Sequence, residues 1–189
     1  MHHKYDTRAI VLTRSPHGEA NALLTMAASG LGLVRARAQG VRKPGAKLAS
    51  ALVTFAESDV SLIKGKEGWR IAGAVLREPW FYRLTHGETR ARAARVMQLV
   101  LRLAPAEAHD HDFYTPLKAF LEALEAVPEP LHEAAEMAVV AHLLAVLGLD
   151  AGEAGDPTLL FDPRALDDVR TARAEYIHRI NHGITASGL

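Results

Sequence analysis

The chain has 189 residues, and its 22 Lys and Arg cancel its 22 Asp and Glu. An apolar share of 49% can fill a real core, which argues against a disordered chain. The longest apolar run, AVVAHLLAVL at 138–147, is roughly half the ~20 residues that a membrane span needs.

The start, MHHKYDTRAIVL, lacks the h-region and cleavage site of a secretory signal. A soluble cytoplasmic protein is expected, although the absence of cysteine also fits an extracellular protein without disulfides. His2 and His3 fit either a natural start or an expression scar.

From Tyr5 to Val75, short β-type runs alternate with turn signals: YDTRAIVLTR, SPHG, ANALLTMA, SGLG and LVRARAQG. A Pro-Gly break, FAESDVSLIK, the tight turn GKEG and WRIAGAV follow. Between the third and fourth runs, Ala46–Leu52 (AKLASAL) has helix formers enough for about two turns. Three strands, a short helix and a closing hairpin have the order of an OB-fold, a small Greek-key barrel often used to bind oligonucleotides. Other small barrels fit the same strand count.

After about Pro79 the period becomes helical. Thr85 and Glu88 have capping-box spacing, and the helix they open places Val96, Leu99, Val100 and Leu103 on one face before Pro105. A second helix starts near Asp112 or Thr115 and stops at Pro128, with Leu117, Phe120, Leu121 and Leu124 at helical spacing. LHEAAEMAVVAHLLAVLG is apolar nearly all round, as a helix buried among others would be. A fourth helix runs from about Asp167 to Asn181, and residues 148–166 form an irregular connector before it. The expected fold class is therefore α+β: a five-stranded barrel with the strand order of an OB-fold over residues 1–79, then an α-helical bundle over 80–189.

The neutral total conceals a division. Residues 1–90 hold 14 Lys and Arg against 7 Asp and Glu, and residues 91–189 hold 8 against 15. Such asymmetry hints at nucleic-acid binding by one half and a different partner for the other. The positive charge peaks in GLVRARAQGVRKPGAK at 32–47. Here Val34, Ala36 and Ala38 alternate with Arg35, Arg37 and Gln39, so one strand face packs and the other presents two guanidinium groups. Past Gly40, a glycine-bearing loop carries Arg42, Lys43 and Lys47. Lys64, Lys66 and Arg70 flank the GKEG turn, and Trp69 beside them is a possible base-stacking platform or a core residue. Arg offers forked hydrogen bonds to phosphate and Lys a point charge, so the array suits a nucleic-acid backbone. A merely solvated charged loop is the plainer alternative.

Other groupings carry less. HDHD at 109–112 lacks a third, distant metal ligand, and Asp112 serves equally as a helix cap. HEAAE at 132–136 lacks the second histidine of a zinc protease, and SPHGE at 15–19 reads as a turn without an oxyanion site. No Walker, Rossmann or Cys–His zinc pattern occurs.

The string from YDTRAIVLTRSPHGEANALLTMA through GLVRARAQGVRKPGAKLASAL to FAESDVSLIKGKEGWRIAGAV resembles the N-terminal domain of the RecO family of bacterial DNA-repair and recombination mediators. TRAIVL, GEAN-x-LLT and the pattern of Ala38, Gly40, Arg42, Lys43 and Lys47 carry the resemblance, which is strong over roughly the first 80 residues. The closing YIHRINHGITASGL also resembles the family's last helix, while the resemblance is weak in the helices between.

The resemblance implies an OB-fold followed by a helical domain, binding of single- and double-stranded DNA, and annealing of complementary strands. It also implies cooperation with RecR in loading the RecA recombinase onto DNA covered by single-strand-binding protein. Many members carry a four-cysteine zinc module. This chain has no cysteine, its acidic connector LGLDAGEAGDPTLLFDPR occupies the corresponding place, and no metal or cofactor is expected.

Arg42, Lys43 and Lys47 follow from the family pattern as DNA contacts, whereas Arg35, Arg37, Lys64, Lys66, Arg70 and Trp69 rest on the local argument. The expectation is a non-enzymatic, nucleoid-associated mediator whose acidic helical half docks proteins, among them the C-terminal tail of single-strand-binding protein. The rival readings are an OB-fold RNA-binding module and a metal-dependent hydrolase.

Overall fold

The computed structural model describes residues 3–104, 110–150, 152 and 154–188. His2, Pro105 and His109, named above from the sequence, lie outside the described residues. The chain divides into two compact units, one of Met1–Arg83 with Ala106–Tyr114 and one of Leu84–Pro105 with Thr115–Leu189.

Five strands build the first unit: β1 (His3–His17), β2 (Asn21–Ala28), β3 (Gly32–Ala38), β4 (Ala56–Gly65) and β5 (Gly68–Pro79). They close into a barrel in the order β1-β2-β3-β5-β4. β1 is long enough to pair twice. Its first half runs antiparallel to β4, from His3 opposite Lys64 to Ile10 opposite Glu57. Its second half pairs β2, with an irregularity between Val11 and Thr13 that bends the strand between partners. The parallel contact of β3 with β5, through Ala36–Trp69, Arg37–Arg70 and Ala38–Ile71, completes the closure.

Alternation explains the inside of the barrel. Ala9, Val11, Leu24, Met26, Val34, Ala36, Leu62, Trp69 and Ile71 form its core, and the many alanines among them suit the narrow interior of a small barrel. Phe55 has a φ of 71° at the entrance to β4, and its ring packs edge-on to Phe81 at 6.3 Å.

The SPHG segment departs from the expectation, because Ser15, Pro16 and His17 stay in β1 opposite Leu23, Ala22 and Asn21. The two-turn helix expected at Ala46–Leu52 is also absent. Turns lead instead to one short 3-10 segment, Ser50–Leu52. Few residues separate Gly45 from β4, and so short a run cannot nucleate an α-helix unaided. Burial of Val41 and Leu52 against the barrel core, with Leu48 packed beside them, sets the path instead.

The first unit extends past residue 79 because a buried carboxylate draws later residues onto the barrel. Glu57 lies on the outer side of β4 yet is only 2% exposed. Trp80, which opens the short helix α1 (Trp80–Arg83), donates its indole N–H to Glu57 Oε2 at 3.0 Å. The Tyr114 hydroxyl donates to Oε1 at 2.7 Å. Each carboxylate oxygen thereby accepts a hydrogen bond, as burial of such a group demands.

The second unit contains α2 (Gly87–Leu103), nearly all of α3 (Tyr114–Ala126), α4 (His132–Val146), α5 (Pro163–Thr171) and α6 (Arg173–Ala186). α4 is buried along most of its length, as its apolar sequence requires. The capping box expected at Thr85 and Glu88 does not form. His86 is the N-cap and has no side-chain cap bond, while the Arg90 guanidinium donates to the carbonyls of Leu84 and Thr85 at 2.6 and 2.7 Å.

The expected last helix is two helices, broken at Ala172, whose φ of −87° and ψ of 20° leave the helical region. α5 begins within the connector, where Asp162 accepts from the Arg164 N–H at 2.9 Å and Pro163 takes the first turn.

Burial, then the hydrogen bond to Glu57 and its negative charge, push the Tyr114 hydroxyl pKa well above its ordinary value near ~10, with Arg8 opposing. A raised folded-state value stabilises the fold fully below pH about 10 and loses that contribution as pH rises beyond it. In an absorbance titration, Tyr114 should stay un-ionised while exposed tyrosines titrate. The Tyr114→Phe variant should lose only that late component.

Candidate nucleic-acid interface

Because Val34, Ala36 and Ala38 are buried, Arg35 and Arg37 project from the outer face of β3. Register then assembles a row across the sheet. Arg37 lies opposite Leu23 on β2 and Arg70 on β5, Arg70 opposite Ile63 on β4, and Ile63 opposite Lys4 on β1. With strands ~4.8 Å apart, the cations of this row are within reach of neighbouring phosphates. Sequence reasoning missed Lys4, because only the pairing places it in the same row as Arg70, with Ile63 between them; it is partnered by Asp6 at 3.0 Å.

At the GKEG turn, Lys64, Lys66 and Arg70 are exposed. Glu67 was also missed. Its carboxylate accepts from Arg37 Nη2 at 2.8 Å, and its backbone carbonyl accepts from the same nitrogen at 2.9 Å. Arg37 must share its donors between this partner and any phosphate. The pair is exposed and therefore weak, worth about 0.2–1 kcal/mol.

The loop after β3 is held by the turn between β1 and β2. The Gly40 N–H donates to Asn21 Oδ1 at 2.9 Å, and the Arg42 N–H to the Ala20 carbonyl at 2.9 Å. Arg42 Nη1 donates to the Gly18 carbonyl at 2.8 Å. Gly40, with a φ of +63°, makes the reversal that brings these groups together.

Successive turns follow, with the Lys43, Ala46 and Ala49 N–H groups donating to the carbonyls of Gly40, Lys43 and Ala46. From beneath, the half-buried Arg14 guanidinium faces the carbonyls of Val41, Ala49 and Leu52 at 3.4, 3.5 and 3.4 Å. Arg42, Lys43 and Lys47 thus stand exposed on a loop whose backbone is held at several points.

Trp69 requires a correction. It is 6% exposed and belongs to the barrel core, with the Tyr5 ring edge-on at 5.1 Å and Lys64 Nζ 5.2 Å from the ring centroid. Its ring is engaged by the protein and is not an open stacking platform.

The other groupings do not converge. His111 of HDHD packs edge-on to Phe113 at 6.0 Å. His132 Nε2 is 3.1 Å from the Val127 carbonyl, while Glu136 accepts from Arg92 and Arg95. Ser15 Oγ donates to the Leu23 carbonyl at 3.4 Å. Among the described residues no group of three or more His, Cys, Asp and Glu could hold a metal ion, and no helix is long and apolar enough to cross a membrane.

Residues 1–79 match the family model described as Recombination protein O N terminal. The barrel is similar to a RecO N-terminal domain. The similarity continues beyond it in the DNA repair protein RecO of Gloeobacter violaceus, 33% identical over 148 residues, 77% of this chain and 56% of that protein. The DNA repair protein RecO of Dehalococcoides mccartyi is 30% identical over 123 residues, 65% and 49% of the two chains. That of Acaryochloris marina is 39% identical over 80 residues, 42% and 27%. The chain spans about half the length of the curated RecO relatives it matches.

The hydrogen bond from Gly40 to Asn21 ties the GEAN segment to the RK loop in this barrel. Replacing Asn21 by Ala removes the acceptor and should loosen the loop by about 1 kcal/mol. Amide hydrogen exchange at Gly40 and Arg42 should accelerate while exchange in the barrel core stays unchanged.

Proposed function

We propose that this chain is a non-enzymatic DNA-binding recombination mediator. In this reading the barrel is an OB-fold that binds single- and double-stranded DNA through phosphates, with Arg35, Arg37, Arg42, Lys43, Lys47, Lys64, Lys66 and Arg70 as its contacts. Neutralising phosphates on two strands reduces their repulsion, so complementary bases can pair. With RecR, the protein would help to load the RecA recombinase onto DNA coated with single-strand-binding protein. The observation that supports this most is the preformed loop bearing Arg42, Lys43 and Lys47, whose cations need no ordering of the backbone before they meet phosphate.

The helical unit would serve protein docking. A groove of about 520 Å³ runs among α2, α4 and α6. Its apolar lining includes Leu99, Val140, Ile177 and Ile184, and Arg92, Arg95 and Arg102 rim it together with Glu133 and Glu136. Glu136 accepts from Arg92 and Arg95, so an acidic ligand would have to compete with it. An apolar floor with an arginine rim suits an acidic peptide with an apolar end, and we assign the tail of single-strand-binding protein to it.

Strand annealing on DNA coated with single-strand-binding protein, with and without RecR, tests affinity, activity and partner dependence together. The double variant Arg42→Glu, Lys43→Glu should weaken DNA binding by at least ~1 kcal/mol and flatten its salt dependence. Unchanged affinity and slope would show that the loop is only solvated. Glu67→Gln should act oppositely, tightening binding by up to ~1 kcal/mol as Arg37 is released. A clear preference for RNA over single-stranded DNA of equal length in direct competition would favour the RNA-binding reading instead.

A further inference from the structure

The barrel face assigned to DNA differs from a stacking surface in where its aromatic rings lie. Trp69, the ring nearest the cations in sequence, is part of the core. Tyr5 meets it edge-on at 5.1 Å, and Lys64 lies over the ring at 5.2 Å. The chain's other tryptophan, Trp80, is 1% exposed and donates to Glu57. Of the exposed rings, Phe81 and Tyr82 stand in α1 and contact each other edge-on, and Tyr5 on β1 is set edge-on against Trp69; none of the three stands in β3, the 40–49 loop or the GKEG turn. Those three segments present mainly Arg and Lys, with Gln39 and Glu67 among them.

Two of the guanidinium groups are anchored by their own edges. Arg42 donates to the Gly18 carbonyl and Arg37 to Glu67. An anchored guanidinium directs its remaining N–H groups as hydrogen-bond donors, which match phosphate oxygens.

We infer that DNA lies on this face by its sugar–phosphate backbone alone, with its bases turned outward and unstacked from the protein. The inference rests on the reading that this face binds DNA. It adds a mode of recognition: affinity set by phosphate count, indifferent to base identity. It also gives the proposed annealing a physical basis, because bases that face solvent are free to meet a complementary strand.

The full chain should be titrated, at one salt concentration, against an oligothymidylate of about 20 nucleotides and an abasic deoxyribose-phosphate strand of the same length. The expected result is equal affinity within about threefold, with tryptophan emission changed to the same extent by the two strands. One stacked base favours the base-bearing strand by roughly fivefold or more. A larger loss on the abasic strand than threefold, or quenching of tryptophan by oligothymidylate alone, overturns the inference while leaving the DNA reading intact. Binding of neither strand overturns both.

Discussion

The basic face depends on one short set of hydrogen bonds: Gly40 to Asn21, and Arg42 to Ala20 and Gly18. A loop carrying Arg42, Lys43 and Lys47 would repel itself and sample many conformations if nothing else held it. Here the β1–β2 turn supplies the acceptors, Gly40 supplies the left-handed reversal, and Val41 and Leu52 bury the loop's apolar side on the barrel. The cost of ordering is met on folding, so it need not be met again on binding. The cations of β3 and of the GKEG turn are then brought alongside by strand register, without further loop structure.

Charge is partitioned in the same economical way. The first half carries the excess of Lys and Arg and the second the excess of Asp and Glu. Each unit solves its own burial problem locally: Glu57 is satisfied by Trp80 and Tyr114 in the first, and Glu136 by Arg92 and Arg95 in the second. The acidic unit is poorly suited to phosphate by its net charge. That is the physical ground for assigning it to proteins.

Alternation made much of the barrel legible in the sequence. The separation of Val34, Ala36 and Ala38 from Arg35 and Arg37 is visible there and present in the sheet, because one buried face tolerates no register slip. Local signals failed where tertiary packing overrode them. AKLASAL has the composition of a helix but must follow the barrel end, and Thr85 and Glu88 have the spacing of a capping box, yet His86 is the N-cap and Arg90 instead ties down the carbonyls of the approaching chain. The break at Ala172 leaves no mark in the sequence because helical spacing runs through it.

Trp69 shows the limit of proximity in sequence, since a residue between two cations can still point inward. Lys4 and Glu67 belong to the face through pairing and hydrogen bonding that only the folded chain displays.

β3, the loop after it and the GKEG turn are the proposed nucleic-acid surface. Hydrogen–deuterium exchange of the full chain with and without single-stranded DNA tests this most directly. The account predicts protection concentrated in residues 35–47 and 64–70. Protection confined to the helices α2 to α6, with those segments unchanged, would contradict it.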